Sequence, residues 1–332
     1  MWTINFHNSS YVEYNIVSEN EDLSLRSWWL TKFVPSIHTI VFLLALPLNL
    51  MAIVMFLAKM QVRKPAVVYM LNLATADVLF VCILPFRIVY RFMGNNWLLG
   101  EWMCRFVTLS FYCNKYCSIL FMTSISVDRY LAVVYPIRSL SWRTVNRAWP
   151  VCGVIWVISF AGTVPLLTHR LTFPITALNI TTCFDVQDAN EFEGFSFHYF
   201  IAYRLIFFVL PLFIITWCYI GTICSLCQTK VDRTHWRSRA VYLTAVVLFV
   251  FALSFGPTNV IFFAYCLKMY RYSDDSLNFT YILSASMSNI RCCLNPIIYY
   301  YASFQYQTYV YSLLCRRKQA MNRRTKGMPM LS

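Results

Sequence analysis

Residues 104–136 read CRFVTLSFYCNKYCSILFMTSISVDRYLAVVYP, an almost unbroken apolar stretch that begins at a cysteine and ends in charged and aromatic residues. At about 1.5 Å per helical residue, a helix from Cys104 to Arg129 spans roughly 37 Å, somewhat more than the hydrocarbon core of a bilayer. We therefore expect these two residues on opposite aqueous sides. An isolated Asp-Arg pair at a helix end is often a solvated cap, so the rest of the chain must decide its role.

The composition is that of a membrane protein. Of the 332 residues, 59% are hydrophobic and 18% aromatic, whereas only 13% are charged, an apolar content far above that of soluble domains. Runs long enough to span a bilayer recur at 34–57, 66–89, 103–133, 149–167, 199–226, 241–267 and 277–302. These seven runs predict seven helices with the two termini on opposite sides.

The net charge of +14 is segregated by loop, unlike a nucleic-acid-binding surface. Basic residues follow the first, third and fifth runs and recur in the tail: Lys59, Arg63, Lys64, Arg138, Arg143, Arg147, Lys230, Arg233, Arg237, Arg239, Arg316, Arg317, Lys318, Arg323, Arg324 and Lys326. Every acidic residue except Asp77, Asp128 and Asp232 lies in the other segments. The positive-inside rule then places the basic segments in the cytoplasm and the N-terminus outside.

Most of the 13 cysteines lie inside apolar runs, where a free cysteine behaves as a small hydrophobic residue. Cys104 and Cys183 differ because both fall on the outer, oxidising side. The residues alone leave open whether they form a bridge or stay as two thiols.

The stretch Ser124-Ile-Ser-Val-Asp-Arg-Tyr-Leu-Ala-Val-Val-Tyr-Pro136 closely resembles the end of the third helix in rhodopsin-like G-protein-coupled receptors. Other matches are Asn49, Trp156, Pro165, Pro211, Phe251-Ala-Leu-Ser-Phe-Gly-Pro-Thr-Asn259 and Asn295-Pro-Ile-Ile-Tyr299. The resemblance implies an all-α bundle of seven transmembrane helices in the plasma membrane, with heterotrimeric G-proteins and arrestin as partners. It also implies a disulfide between Cys104 and Cys183, which would tie the second outer loop to the third helix.

The family's activation switch is carried over to the matching residues: Asp128, Arg129, Tyr130, Tyr219, Phe255, Pro257, Asn295, Pro296 and Tyr299. The resemblance implies a closed state in which Arg129 pairs with Asp128. On opening, the sixth helix swings about the kink at Pro257 and Arg129 contacts the G-protein.

A charge near mid-membrane is expensive and is functional by default, which makes Asp77 a candidate site. The family's sodium-binding cluster corresponds here to Asp77, Asn49, Ser118 and Asn295, and a sodium ion at Asp77 is the one cofactor implied. A protonated, hydrogen-bonded acid is the alternative. Arg291 departs from the family pattern, because the family usually has a small polar residue there. We hypothesise a direct Asp77–Arg291 ion pair that replaces sodium.

Four charged residues are candidates for a ligand pocket: Arg87, Lys115, Arg204 and Asp185. The periodicity buries Lys115 too deep to snorkel easily, so an anionic ligand group or a carbonyl cluster is expected near it. For Arg87 and Arg204, snorkelling to the membrane surface is the alternative.

Within the family, several stretches are similar to the proteinase-activated (thrombin) receptors, for example 27–36, 63–70, 139–144, 255–260 and 299–303. The likeness implies a peptide or tethered-ligand agonist and coupling to Gq and Rho-linked G-proteins. Departures are Asn295, where that subfamily has aspartate, and Phe184, where it has histidine. Arg26, the one arginine before the first helix, is too near the membrane to free a tethered ligand. Either an upstream segment is missing, or the receptor answers a diffusible ligand.

Residues 171–174 and 182–186 resemble an orphan receptor grouped with the purine-nucleotide receptors, so an anionic lipid or nucleotide ligand is the second hypothesis. A seven-helix transporter is a weaker one, because no internal repeat is present. No motif of an intramembrane enzyme occurs, and the chain is not expected to be an enzyme.

Three segments are predicted: an extracellular segment (1–33) that is disordered over residues 1–27, the receptor domain (34–302), and a short amphipathic helix with a cytoplasmic tail (303–332) that contacts membrane lipid. Asn8, Asn179 and Asn278 lie in glycosylation sequons. Cys315, at the end of the amphipathic stretch, is a candidate for palmitoylation.

Overall fold

The computed structural model describes residues 2–4, 26–60, 62–165, 170–188, 195–228, 234–269, 275–303 and 305–312. The described helices are α1 (Val34–Ala58), α2 (Pro65–Phe92), α3 (Gly100–Val134), α4 (Val145–Ala161), α5 (Phe195–Gln228), α6 (Thr234–Met269), α7 (Asp275–Met287) and α8 (Arg291–Ala302). A π-helical turn, Trp29–Phe33, leads into α1. Residues 305–312 form a short helix, α9, within the predicted amphipathic stretch.

Seven spans correspond to the seven predicted runs, which confirms the all-α seven-helix bundle. In the described part of the chain, α1 with its leading turn, α2, α3, α5 and α6 are each long and apolar enough to cross a membrane. Helix α4 has 17 residues, or roughly 26 Å, the lower end of what a bilayer requires. The seventh span is divided into α7 and α8 by a 3-10 turn, Ser288–Ile290.

Helix α3 lies at the centre of the bundle, in contact with α2, α4, α5 and α6. Its inward residues join one large apolar core that includes Leu73, Phe121, Phe251 and Tyr299. Large apolar side chains on the outside of the bundle are exposed, such as Trp217 at 71%. In a bilayer these side chains face lipid tails, so their exposure carries no hydrophobic penalty.

The outer loop between α4 and α5 holds two antiparallel strands, β2 (Thr172–Ile175) and β3 (Ile180–Cys183). The bridge Cys104–Cys183, with a Cα–Cα distance of 5.8 Å, fixes β3 to the outer end of α3 and confirms the predicted disulfide. The expectation of disorder was wrong for Trp2–Ile4, which forms β1 and pairs in parallel with β4 (Val186–Asp188). The backbone N–H and C=O groups at the open edge of β4 offer hydrogen bonds to residues 2–4. These partners cannot be read from the composition of the N-terminal segment.

Gly162, directly after α4, marks the tightest approach between α4 and α5. A Cβ atom there would overlap the Tyr203 hydroxyl and ring, whereas a Cβ at Gly153 in α4 would meet no atom within 4 Å. We expect Gly162→Ala to lower the free energy of unfolding by about 1–3 kcal/mol through overpacking. Gly153→Ala should leave it unchanged or raise it slightly through helix propensity.

The melting temperatures of the parent protein, Gly162→Ala and Gly153→Ala, each purified in detergent, measure the two effects. Gly153→Ala is the matched control. Equal melting temperatures for the two variants would show that α4 and α5 can separate at Gly162 without cost.

Candidate functional site

An outer cleft opens between α1, α2, α3 and α7 beneath the loop residues Phe184 and Asp185. Its lining combines aromatic and aliphatic side chains with a few charged groups: His38, Phe80, Ile83, Leu84, Arg87, Arg91, Val107, Phe111, Tyr112, Phe184, Asp185, Ile282, Ala285, Ser286 and Asn289. A concave apolar site with a few converging polar groups is the usual form of a ligand pocket.

Asp185 fixes the roof of the outer cleft to α2. Arg91 donates from Nη1 to Asp185 Oδ2 at 2.9 Å and from Nη2 to Oδ1 at 2.8 Å, and both side chains are 5% exposed. The Tyr90 hydroxyl donates to Oδ2 at 2.5 Å and accepts the Cys183 backbone N–H at 3.1 Å. Burial raises the pKa of the Asp185 carboxyl, but the charges of Arg91 and Arg87 outweigh burial and hold it below its ordinary value.

The predicted ligand residues separate into two groups. Arg87 and Asp185 line the outer cleft, and Arg87 Nη1 donates to the Cys183 carbonyl at 3.4 Å. Lys115 and Arg204 do not line it. Arg91 was missed, although it lies one helical turn beyond Arg87 and so on the same face of α2.

Lys115 and Arg204 are buried inside the bundle, at 3% and 6% exposure. Arg204 lies with Cζ 3.8 Å from the centre of the Phe262 ring in α6, so its alternative interpretation as a snorkelling residue is wrong. Within the described part of the chain, no hydrogen-bond or ion-pair partner reaches the Lys115 ammonium group. Its burial matches the sequence prediction.

Asp77 lies at the centre of a buried polar network. Its Oδ2 accepts from Asn295 Nδ2 at 2.7 Å, and its Oδ1 accepts from Asn114 Nδ2 at 3.2 Å and Cys292 Sγ at 3.3 Å. Arg291 Nη2 donates to Asn114 Oδ1. The predicted direct Asp77–Arg291 ion pair is therefore wrong, because the Asn114 amide lies between the two charges.

The remaining members of the predicted sodium cluster, Asn49 and Ser118, form no hydrogen bond with Asp77 in the described part of the chain. Asn49 donates to the carbonyls of Ala45 and Cys292, both at 2.9 Å, and accepts from the Tyr299 hydroxyl at 3.4 Å. The Ser118 hydroxyl is buried without a hydrogen-bond partner among the described residues. Asn114, which sequence reasoning missed, lies four residues before Ser118 on the same helical face.

At the inner end of α3, Asp128 is held by Arg143 from the following loop. Arg143 donates from Nε to Oδ1 and from Nη2 to Oδ2, both at 2.9 Å. The predicted Asp128–Arg129 pair is wrong for this state, because adjacent residues on a helix do not face each other. Arg129 Nη2 instead donates to the Ala302 carbonyl of α8 at 3.2 Å.

Of the other switch residues, Tyr130 lies in α3 and the rest lie on α5, α6 and α8. Phe255 and Tyr299 are fully buried, and Phe255 packs on Phe251 at 5.2 Å between ring centres. Pro257 and Pro296 lie inside α6 and α8, Tyr219 is half-buried in α5, and Tyr130 closely approaches Gly221. Phe255 and Pro257 lie near the middle of α6, and the roles of all these residues stay predictions.

The predicted modification sites are only partly within the described structure. Asn179 is exposed and ends the 3-10 turn of the outer loop with a left-handed φ of 51°. Asn278 lies in α7, whereas Asn8 and Cys315 lie outside the described residues. Glycosylation and palmitoylation stay predictions.

Comparisons with known proteins agree with this architecture. The family model "7 transmembrane receptor (rhodopsin family)" matches residues 48–299. The chain is similar to proteinase-activated receptor 1 of Xenopus laevis, with 55% identity over 307 residues, 92% of this chain and 72% of the relative. Proteinase-activated receptor 1 of Homo sapiens is 51% identical over 305 residues, with the same coverage. Purinoceptor 8 of Gallus gallus is 34% identical over 276 residues, 82% of this chain and 77% of that relative.

Arg91→Met should remove the cation that compensates the buried Asp185 carboxylate. Breaking a buried ion pair in this way costs about 3–5 kcal/mol, so we expect a large fall in thermal stability. Arg105→Met is the matched control, because Arg105 pairs with Glu101 at 2.8 Å with both side chains about a quarter exposed. Such a pair is worth about 0–1 kcal/mol.

The pKa shift of Asp185 fixes the pH dependence of this difference. A lowered folded-state pKa gives a stabilisation that is complete above the ordinary aspartate pKa of about 3.9 and is lost as pH falls through the folded value. Without Arg91, burial raises the pKa of the Asp185 carboxyl in the variant, so protonation as the pH falls relieves part of the uncompensated charge. The gap in melting temperature between the parent protein and Arg91→Met should therefore be smaller at pH 5 than at pH 7, and an unchanged gap would contradict the assignment.

Proposed function

We propose that this chain, which belongs to the rhodopsin family of seven-transmembrane receptors, is activated by a peptide agonist at its outer cleft. Family membership itself makes it a multi-pass plasma-membrane receptor that couples to G-proteins, and its similarity to proteinase-activated receptor 1 makes it a receptor of that type. The class of agonist, the side of the membrane on which the N-terminus lies and the identity of the intracellular partners are proposed.

The observation that carries the proposal is that α3 connects both ends of the receptor. Its outer end is joined through Cys104–Cys183 to the loop that roofs the outer cleft. Its inner end holds Asp128 and Arg129, which contact Arg143 and Ala302. An agonist that binds beneath the loop acts on the same helix that a G-protein meets inside, so binding on one side shifts the population on the other.

A peptide agonist suits the chemistry of the outer cleft. Phe80, Phe111 and Tyr112 offer aromatic contacts, and Arg87 offers donors for peptide carbonyl or carboxylate groups. The name of the relatives, proteinase-activated receptor 1, supports a peptide exposed by proteolysis, the tethered-ligand mode.

We further propose that the N-terminus is extracellular and that Gq and Rho-linked G-proteins and arrestin bind the inner face. Exposed basic residues beside the Asp128 site, such as Arg138 and Arg147, suit acidic protein surfaces and anionic lipid.

A diffusible anionic ligand, a lipid or a nucleotide, is the second candidate. It is favoured by one observation: Lys115 is buried without a carboxylate or other partner among the described residues. An anionic group reaching it would satisfy an otherwise costly buried charge. The 34% identity to the purinoceptor of Gallus gallus points the same way.

The agonist is tested by expressing the chain in cells and measuring calcium and Rho responses to thrombin, to a soluble peptide of the tethered-ligand type, and to anionic lipids and nucleotides. We expect a response to the peptide that Arg129→Ala abolishes. A response that requires Lys115 and occurs only with an anionic small molecule would overturn the peptide proposal in favour of the second candidate.

Arg143→Ala should raise basal G-protein activation several-fold, because it releases Asp128 and weakens the closed inner end of α3. A loss of about 1.4 kcal/mol from the closed state changes the population ratio tenfold. Nucleotide exchange on purified G-protein, without agonist, measures the effect. Arg170→Ala, which removes an exposed arginine of the outer loop, should leave basal activity unchanged, and equal activity in the two variants would contradict the role of the Asp128–Arg143 pair.

A further inference from the structure

Three hydrogen-bond donors already occupy the Asp77 carboxylate, the group to which the family resemblance assigns a sodium ion. Hard cations are bound by several oxygen atoms with free lone pairs. The three groups that contact the Asp77 carboxylate, from Asn114, Asn295 and Cys292, each present a hydrogen to it. Asn295 Oδ1 and the Ser118 hydroxyl are buried without a hydrogen-bond partner among the described residues, so oxygen atoms remain and the charge of the network decides whether sodium enters.

A positive charge is nevertheless built into the network. Arg291 is fully buried, and its guanidinium donates to Asn114 Oδ1, to the Ser288 carbonyl at 3.1 Å and to Asn289 Oδ1 at 3.4 Å. The Asn114 amide thus accepts from Arg291 with its oxygen and donates to Asp77 with its nitrogen. One amide group connects the buried cation to the buried anion.

The surroundings of Arg291 also suit a fixed cation. Its Cζ lies 5.8 Å from the ring centres of both Phe80 and Phe255, so aromatic faces flank the charge. A second cation in the same low-dielectric space would leave the network with an excess positive charge, which is costly inside a membrane.

We propose that Arg291 is the resident cation of the Asp77 network and that its guanidinium excludes sodium from this site. The receptor therefore holds its central carboxylate with a side chain of its own, and its stability and resting state do not respond to sodium. This inference concerns the fold and is independent of the agonist.

The test uses the purified full chain in detergent, without agonist or G-protein. Thermal unfolding is followed while sodium chloride is exchanged for choline chloride at constant ionic strength. We expect the same melting temperature in both salts for the parent protein and for Arg291→Lys, which keeps the charge. Arg291→Ser should gain a saturable, sodium-dependent rise of a few degrees, and adding Asp77→Asn to it should abolish the rise.

Two results would overturn the proposal. One is a saturable sodium-dependent rise in the parent protein that Asp77→Asn removes. The other is a folded Arg291→Ser variant whose melting temperature does not respond to sodium. If Arg291→Ser does not fold, sodium NMR on the parent protein decides: line broadening that depends on Asp77 contradicts the proposal, and its absence supports it. None of these results bears on the peptide agonist.

Discussion

The burial of the Asp77 carboxylate is the constraint on which the rest of the bundle depends. A lone carboxylate at this depth would be costly, because nothing in the hydrocarbon core solvates it. The chain compensates by bringing donors from α3 and α8 to the same point, Asn114 from one and Cys292 and Asn295 from the other. These contacts hold α2, α3 and α8 in one register, and the apolar core packs around them.

Helix α3 connects the Asp77 network to both sides of the membrane. It contributes Cys104 under the outer loop, Asn114 to the Asp77 network and Asp128 at the inner surface. A rotation or translation of one rigid helix changes all three environments together. Arg291 also links the Asp77 network to the outer cleft. It donates to Asn289 Oδ1, and Asn289 Nδ2 lies 3.2 Å from Nε2 of His38, which lines the cleft.

The sequence was sufficient for the helical spans, because the length of an apolar run acts along the chain and needs no tertiary contact, and the family resemblance was sufficient for the Cys104–Cys183 disulfide. The sequence did not predict which arginine pairs with a given carboxylate. Asp128 takes Arg143 from the next loop rather than adjacent Arg129, since neighbouring helical residues diverge. Arg91, the partner of Asp185, was not among the candidate residues, and the strands of the outer loop depend on backbone partners that composition does not encode.

The two buried arginine–aspartate arrangements differ in a way that suits their positions. Arg91 and Asp185 are joined directly and bidentately, at the rim, where the loop must stay fixed over the outer cleft. Arg291 and Asp77 are joined through the Asn114 amide, at the centre. A direct pair has one favourable geometry and resists displacement. A bridged pair can lengthen or turn about the amide while both charges keep a partner, so the centre of the bundle can change its arrangement without exposing a bare charge to the membrane interior.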